Sequence, residues 1–182
     1  MIRTRAGKMS EHCCNGDLRS DSPEFRGCLT ALKQIDFELA YLALLTCEGI
    51  KPLSRWEKPL DDNGLELLRK MGLLTSQVQR TVKSGRIVVE TIFSPTPAFI
   101  QLYEHSFSEI PIDKSARTQR IEGFLFGYPA CCIEQYIHKP YAPNNLPDQE
   151  QKILFHWACR DCEVTPVLLD AYKCIHTLLA QC

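Results

Sequence analysis

The sequence predicts an α+β fold, a mostly helical single domain that carries one β-hairpin. Two observations predict it. Apolar residues recur at i, i+3, i+4 and i+7 in several segments, most clearly near the C-terminal end, as in helices buried along one face. Between them, two β-rich runs flank the short turn Lys83-Ser84-Gly85. There is no βαβ alternation, internal repeat or low-complexity tract.

Residues 1–32 read as a flexible extension, polar and mixed in charge, with Asn15-Gly16, Asp21-Ser22-Pro23 and no sustained period. Cys13 and Cys14 lie there and read as incidental. The globular domain is expected over 33–182. Its first part, 33–112, holds helices and the hairpin; its second, 113–182, is helical and bears the cysteines. A buried helix runs from Ile35 to Cys47, with Phe37, Leu39, Ala40, Ala43 and Leu44 spread round its surface, and Glu48-Gly49 ends it. A proline-punctuated loop, Lys51 to Leu60, follows. The next helix is capped by Asp61 or Asp62, carries Leu65, Leu68 and Met71, and stops at Gly72.

The hairpin comprises Ser76–Val82 and Arg86–Phe93. Ser94-Pro95-Thr96-Pro97 closes it and opens a helix whose inner face is Phe99, Ile100, Tyr103 and Phe107. A helix over 114–126 is expected to turn Ile121, Phe124 and Leu125 inward before Gly127-Tyr128-Pro129 breaks it. Ala130–His138 restarts as a helix, a proline-rich loop leads to another near 148–157, and Cys159-Arg160-Asp161-Cys162 follows. In the last helix Val164, Val167, Leu168, Ala171, Ile175, Leu178, Leu179 and Cys182 form the stripe, with Thr165 as cap and Pro166 as its first residue.

A chain of 182 residues can bury one proper core. Its 45% hydrophobic and 24% charged residues are the balance of a globular protein, not a disordered one. A net charge of −1 supplies no global field toward nucleic acid or acidic membrane. The longest apolar run, around Leu42 to Leu45, falls far short of the roughly 20 residues that span a bilayer. No apolar stretch follows Met1-Ile2-Arg3-Thr4-Arg5, so the start does not read as a secretory signal. The expected setting is cytoplasmic and reducing. There, ten cysteines point to metal binding, redox work or plain burial rather than to disulfides.

Four of them define the candidate site. Cys131-Cys132 opens a helix and Cys159-x-x-Cys162 precedes one; unpaired N–H groups at a helix start stabilise the thiolates that metals and redox chemistry both need. Two such half-sites can form the four-sulfur tetrahedron used by zinc and iron–sulfur centres. Adjacent helical residues, however, point about 100° apart. A three-cysteine site of Cys131, Cys159 and Cys162, completed by His156 or by His138, which shares a helix side with Glu134 and Gln135, is therefore an equal expectation. Cys47 and Cys174 read as core.

Two other classes stay open. A cysteine thiolate could serve an enzyme or a thiol redox protein, with Cys131 as nucleophile. The helix and hairpin over 62–93 resemble the recognition helix and wing of a winged-helix module, in which Arg80, Lys83 and Arg86 on the 76–93 hairpin would contact nucleic acid or a protein partner. Arg117, Arg120 and Glu122 are candidates to face the cysteine site.

The run Glu122-Gly123-Phe124-Leu125-Phe126-Gly127-Tyr128-Pro129-Ala130-Cys131-Cys132-Ile133-Glu134-Gln135-Tyr136 resembles the signature of a prokaryotic family known as a domain of unknown function, number 483 in that series. Its members carry a Gly-Tyr-Pro-x-Cys-Cys corner and a downstream Cys-x-x-Cys-like pair. The likeness runs from about Asp36 to the C-terminus. It maps Gly127, Tyr128, Pro129, Cys131, Cys132, Cys159 and Cys162 onto the family pattern and implies no reaction.

Overall fold

The structure, a computed structural model, describes residues 22–181. Cys13, Cys14 and Cys182 lie outside them. Helix α1 (Pro23–Ile35) opens the described chain, and it corrects the extent given to the extension. The Ser22 hydroxyl accepts from the Phe25 amide at 3.1 Å, Pro23 pre-sets the first turn, and Phe25, Cys28, Leu29 and Leu32 are buried. Those four sit at i, i+3, i+4 and i+7, so the period is present, diluted by Gly27 and by the charged Glu24, Arg26 and Lys33.

Helix α2 (Phe37–Cys47) is apolar on all sides, and Leu39 through Cys47 are buried in the middle of the molecule. The following loop contains a short strand that periodicity missed, β1 (Ser54–Trp56), three residues being too few to show alternation. Helix α3 (Asp62–Lys70) is capped by Asp61, whose carboxylate accepts from Gly64. The hairpin follows as β2 (Leu74–Thr81) and β3 (Ile87–Ser94), with Gly85 at φ +80° in its turn.

The three strands form an antiparallel sheet in the order β1-β3-β2, with Ser54 opposite Phe93 and Thr81 opposite Ile87. Because successive side chains take opposite faces, the sheet divides two apolar clusters. Phe93 and Trp56 join α1, α2 and α3 on one side. Ile92 and Val78 meet Ile100, Tyr103 and Phe107 of α4 (Pro97–Phe107) on the other.

The register also places Arg55, Arg80 and Glu90 on the α4 face, where they are enclosed. Arg80 is 1% exposed and lies 3.0 Å from Glu122 and 3.7 Å from Glu90. Arg80 therefore cannot reach a phosphate as the wing reading requires; Lys83 and Arg86 are exposed.

In the last third, α5 (Ala116–Leu125) turns Gly123 and Leu125 inward, while Phe124, expected inside, is 60% exposed. Helix α6 is Ala130–His138. The helix expected near 148–157 shrinks to one turn, α7 (Asp148–Gln151). Beyond it Leu154, His156 and Ala158 are buried at a spacing of two, and side-chain amides take the place of helical bonds. Gln151 donates to the His156 carbonyl at 2.8 Å and Asn144 to the Ala158 carbonyl at 3.0 Å.

Helix α8 (Val164–Gln181) is present but rotated from the expected stripe. Its buried face is Thr165, Leu169, Tyr172, Ile175 and Leu179, while Val164 and Val167 are exposed. Tyr172 sets this rotation by packing edge-on to Tyr41, whose hydroxyl donates to the Tyr172 carbonyl at 3.2 Å. Among the described residues no helix is long and apolar enough to cross a membrane.

Candidate metal centre

The corner that presents Cys131 and Cys132 is built by close approach. Gly127 has φ +72°, and a Cβ there would stand 2.8 Å from Pro52 Cδ and 3.2 Å from the Ile50 carbonyl. A Cβ on Gly123 would meet Ile133 Cδ1 at 2.5 Å, so Ile133 of α6 fills the space that glycine leaves on α5 and would have to shift for a larger residue. Pro129 then leads into α6, placing both cysteines in its first turn.

This resolves the difficulty of the adjacent pair. Helical Cα–Cβ bonds tilt toward the N-terminus, so both side chains reach into the space before the helix start. There the Cys159–Cys162 loop supplies a sulfur to each. Cys131 Sγ lies 3.5 Å from Cys162 Sγ and Cys132 Sγ 3.8 Å from Cys159 Sγ, and all four sulfurs lie within 4.8 Å of one another.

Donors surround the sulfurs. The Thr165 amide and hydroxyl donate to Cys162 Sγ at 3.2 and 3.1 Å, and the Cys159 amide donates to Cys132 Sγ at 3.3 Å. Thr165, expected as the cap of α8, lies inside its first turn, and Cys162 does the capping. Burial opposes charge on Cys162, but the Thr165 hydroxyl and amide, with the neighbouring thiols, outweigh it and bring the thiol down to about 7. Cys131 moves the other way, to about 11, through burial and through hydrogen bonds to Cys162 and Cys159 that favour its neutral form. Burial raises Cys132 as well. One thiolate thus forms readily and is shared among thiol donors, a set ready to lose its protons to a metal ion.

The other predicted site residues are placed apart from the sulfurs. His156 Nε2 is bonded to Thr165 Oγ1 at 3.1 Å, one residue removed from the cluster, and burial holds the imidazole down to about 4. Tyr128 stacks on it with ring centroids 5.3 Å apart. His138 is exposed in the last turn of α6, about 10 Å along the axis from Cys131 at the helical rise. Arg120 and Glu134 form an exposed bidentate pair, at 2.6 and 2.8 Å, that ties α5 to α6. Arg117 is exposed, and Glu122 is engaged by Arg55 at 2.6 Å and Arg80 at 3.0 Å. Cys47 is buried, its thiol donating to the Met71 carbonyl at 3.6 Å.

Two contributors escaped the sequence reading. Thr165 stands three residues after Cys162, the spacing of a helix cap, and could have been found by treating cysteine as a capping residue. Lys51 is 1% exposed, donates to the Phe126 carbonyl at 3.0 Å and lies 4.7 Å from the Tyr128 ring centroid. Nothing in its local sequence announces that burial.

The four described cysteines that converge here could hold a metal ion. Comparison of the chain with protein-family models, with curated proteins and with solved structures returns no match.

Proposed function

We propose that Cys131, Cys132, Cys159 and Cys162 bind a single zinc ion whose role is structural. The observation that carries this reading is the spread of the sulfurs, all within 4.8 Å. A tetrahedral zinc ion with bonds of about 2.3 Å sets its sulfurs about 3.8 Å apart. The pairs at 3.5 and 3.8 Å are close to that already. An iron–sulfur cluster interposes several irons and sulfides between its thiolates and needs a wider ring. Four thiolates also fill the tetrahedron, leaving no position for a substrate, so the ion is a clamp and not a Lewis acid. It ties the start of α6 to the start of α8 across 139–163, where α7 supplies only 4 helical residues.

The Gly127-Tyr128-Pro129-Ala130-Cys131-Cys132 corner supports placing the chain in the Gly-Tyr-Pro-x-Cys-Cys family, number 483 among domains of unknown function.

Elemental analysis and an absorption spectrum of protein purified without oxygen test the reading. About one zinc ion per chain, lost in Cys159→Ala, is the expected result. A brown sulfur-to-iron band would replace zinc by iron. Folded wild-type protein without metal would overturn the reading. One observation favours a second reading, a thiol redox pair: exposed Cys131 lies 3.5 Å from Cys162, whose thiol is brought down to about 7 by Thr165 and neighbouring thiols against the opposing effect of burial. A reversible Cys131–Cys162 disulfide in metal-free wild-type protein, seen as a loss of two mass units that a reductant restores, would support it.

A further inference from the structure

The four sulfurs are not alike in their surroundings. Cys162 Sγ accepts from the Thr165 amide and hydroxyl at 3.2 and 3.1 Å, and Cys132 Sγ from the Cys159 amide at 3.3 Å. Both residues are enclosed, at 9% and 2% exposure. Among the described residues no amide or hydroxyl donates to the sulfur of Cys131 or Cys159. Of these two, Cys131 is exposed, whereas Cys159 is half-buried.

Those differences rank the sulfurs as nucleophiles once zinc holds them as thiolates. A hydrogen bond draws charge from a thiolate, and nucleophilicity falls as the thiolate becomes less basic. Cys162 and Cys132 are blunted in this way and shielded from solvent. Cys131 keeps the charge that those two give up, and it meets solvent in the first turn of α6. A metal-bound thiolate needs no deprotonation before it attacks an electrophile.

The class of electrophile follows from the second sulfur. A carbon electrophile would stop at a thioether on Cys131. A hydroperoxide is a two-electron oxidant and leaves a sulfenic acid, which a second thiolate can displace. Cys162 Sγ stands 3.5 Å from Cys131 Sγ, and a disulfide of roughly 2.0 Å needs a closure of only about 1.5 Å.

We propose that zinc-bound Cys131 is a modification site for small hydroperoxides, whose reaction joins Cys131 to Cys162 as a disulfide and releases the ion. The Cys131 thiolate takes the OH of hydrogen peroxide as the O–O bond breaks and hydroxide departs. The Cys162 thiolate then attacks the sulfenic sulfur and expels a second hydroxide. Two protons from solvent turn these into water, so the thiolates lose the two electrons that the peroxide gains. Zinc is left with two of its four ligands and dissociates. The disulfide still joins the start of α6 to the residues before α8, so the half-sites stay together for zinc to return on reduction. The inference rests on the zinc reading and adds how the ion is let go.

The test treats the zinc-loaded full chain, its zinc content measured first, with hydrogen peroxide beside a chromophoric chelator. Zinc should appear in step with the peroxide consumed, with a loss of two mass units that a reductant restores. Peptide mapping should place the disulfide between Cys131 and Cys162, and dimedone present from the start should label Cys131 first. Cys131→His, which keeps a four-ligand zinc set, should release zinc about tenfold more slowly, while Cys159→His should match wild type. The dimedone experiment uses wild type alone, so it decides even where a variant fails to hold zinc. Zinc retained under peroxide, first labelling at another cysteine, or equal release from Cys131→His and wild type would each overturn the inference and leave the metal reading standing. Folded wild-type protein without zinc would overturn the metal reading and this inference with it.

Discussion

Thr165 joins the sulfur chemistry to the rest of the molecule through one hydroxyl, and its removal is the sharpest single-residue test. Thr165→Val keeps the shape and deletes the donor to Cys162. Groups that orient metal ligands in this way typically contribute 10- to 100-fold in affinity. Competition with a chromophoric chelator should show zinc affinity falling by about that factor, with the fold retained. An unchanged affinity would remove Thr165 from the site. Lys51 offers a test by pH. Burial, with Arg55 adding to it, lowers its pKa from 10.5 to about 7. Between those values the unfolded chain binds a proton that the folded chain does not, so this contribution to stability rises with pH across the window and is absent below it. Wild type should therefore gain stability over Lys51→Met from pH 7 to 10, by up to about 4 kcal/mol before the aromatic rings offset it. Parallel unfolding curves would contradict this. The four cysteines were legible as residues because few other roles suit that spacing. Thr165 and Lys51 were not, since each acts through distant partners.

At the scale of elements, the hairpin shows how a correct element can carry a wrong role. Its two strands were legible from β-rich composition and the Gly85 turn. The register, however, puts Arg80 on the face covered by α4, with its guanidinium carbon 4.7 Å from the Phe107 ring centroid. Arg80, Arg55, Glu90 and Glu122 form an ion network there, in which Tyr103 also donates to Glu90 at 2.7 Å. Breaking a buried pair leaves an uncompensated charge and costs about 3–5 kcal/mol. Arg80→Ala should lose about that much in denaturant unfolding, whereas exposed Lys83→Ala should stay within about 0.5 kcal/mol. Equal, small effects of both would return Arg80 to the surface. Whether a strand residue is enclosed depends on which helix covers the sheet. That pairing, between elements remote in sequence, is what local periodicity does not encode. The same reason explains the rotation of α8, fixed by Tyr172 against Tyr41.

Across the whole molecule, the two apolar clusters hold α1 to α5 and the sheet without help from the sulfurs, while 139–163 is held by the packing of Leu146, Ile153, Leu154 and Phe155 and by side-chain amides such as those of Asn144 and Gln151, with one turn of helix. Metal removal should therefore act regionally. Hydrogen exchange after chelation should quicken in 139–163 and the first turns of α8 and leave β2 and β3 protected. Uniform loss of protection would mean that the metal holds the entire fold. The α+β class and the location of the site were readable because they rest on composition and on one dense motif. The ligand set was left between four sulfurs and three sulfurs with a histidine, because the tilt of side chains at a helix start is a three-dimensional fact. X-ray absorption at the zinc edge of protein purified without oxygen tests that ligand set most directly. Four sulfur neighbours at about 2.3 Å, with no nitrogen or oxygen shell, are the predicted result. Three sulfurs with one lighter ligand, or no bound zinc at all, would contradict the account.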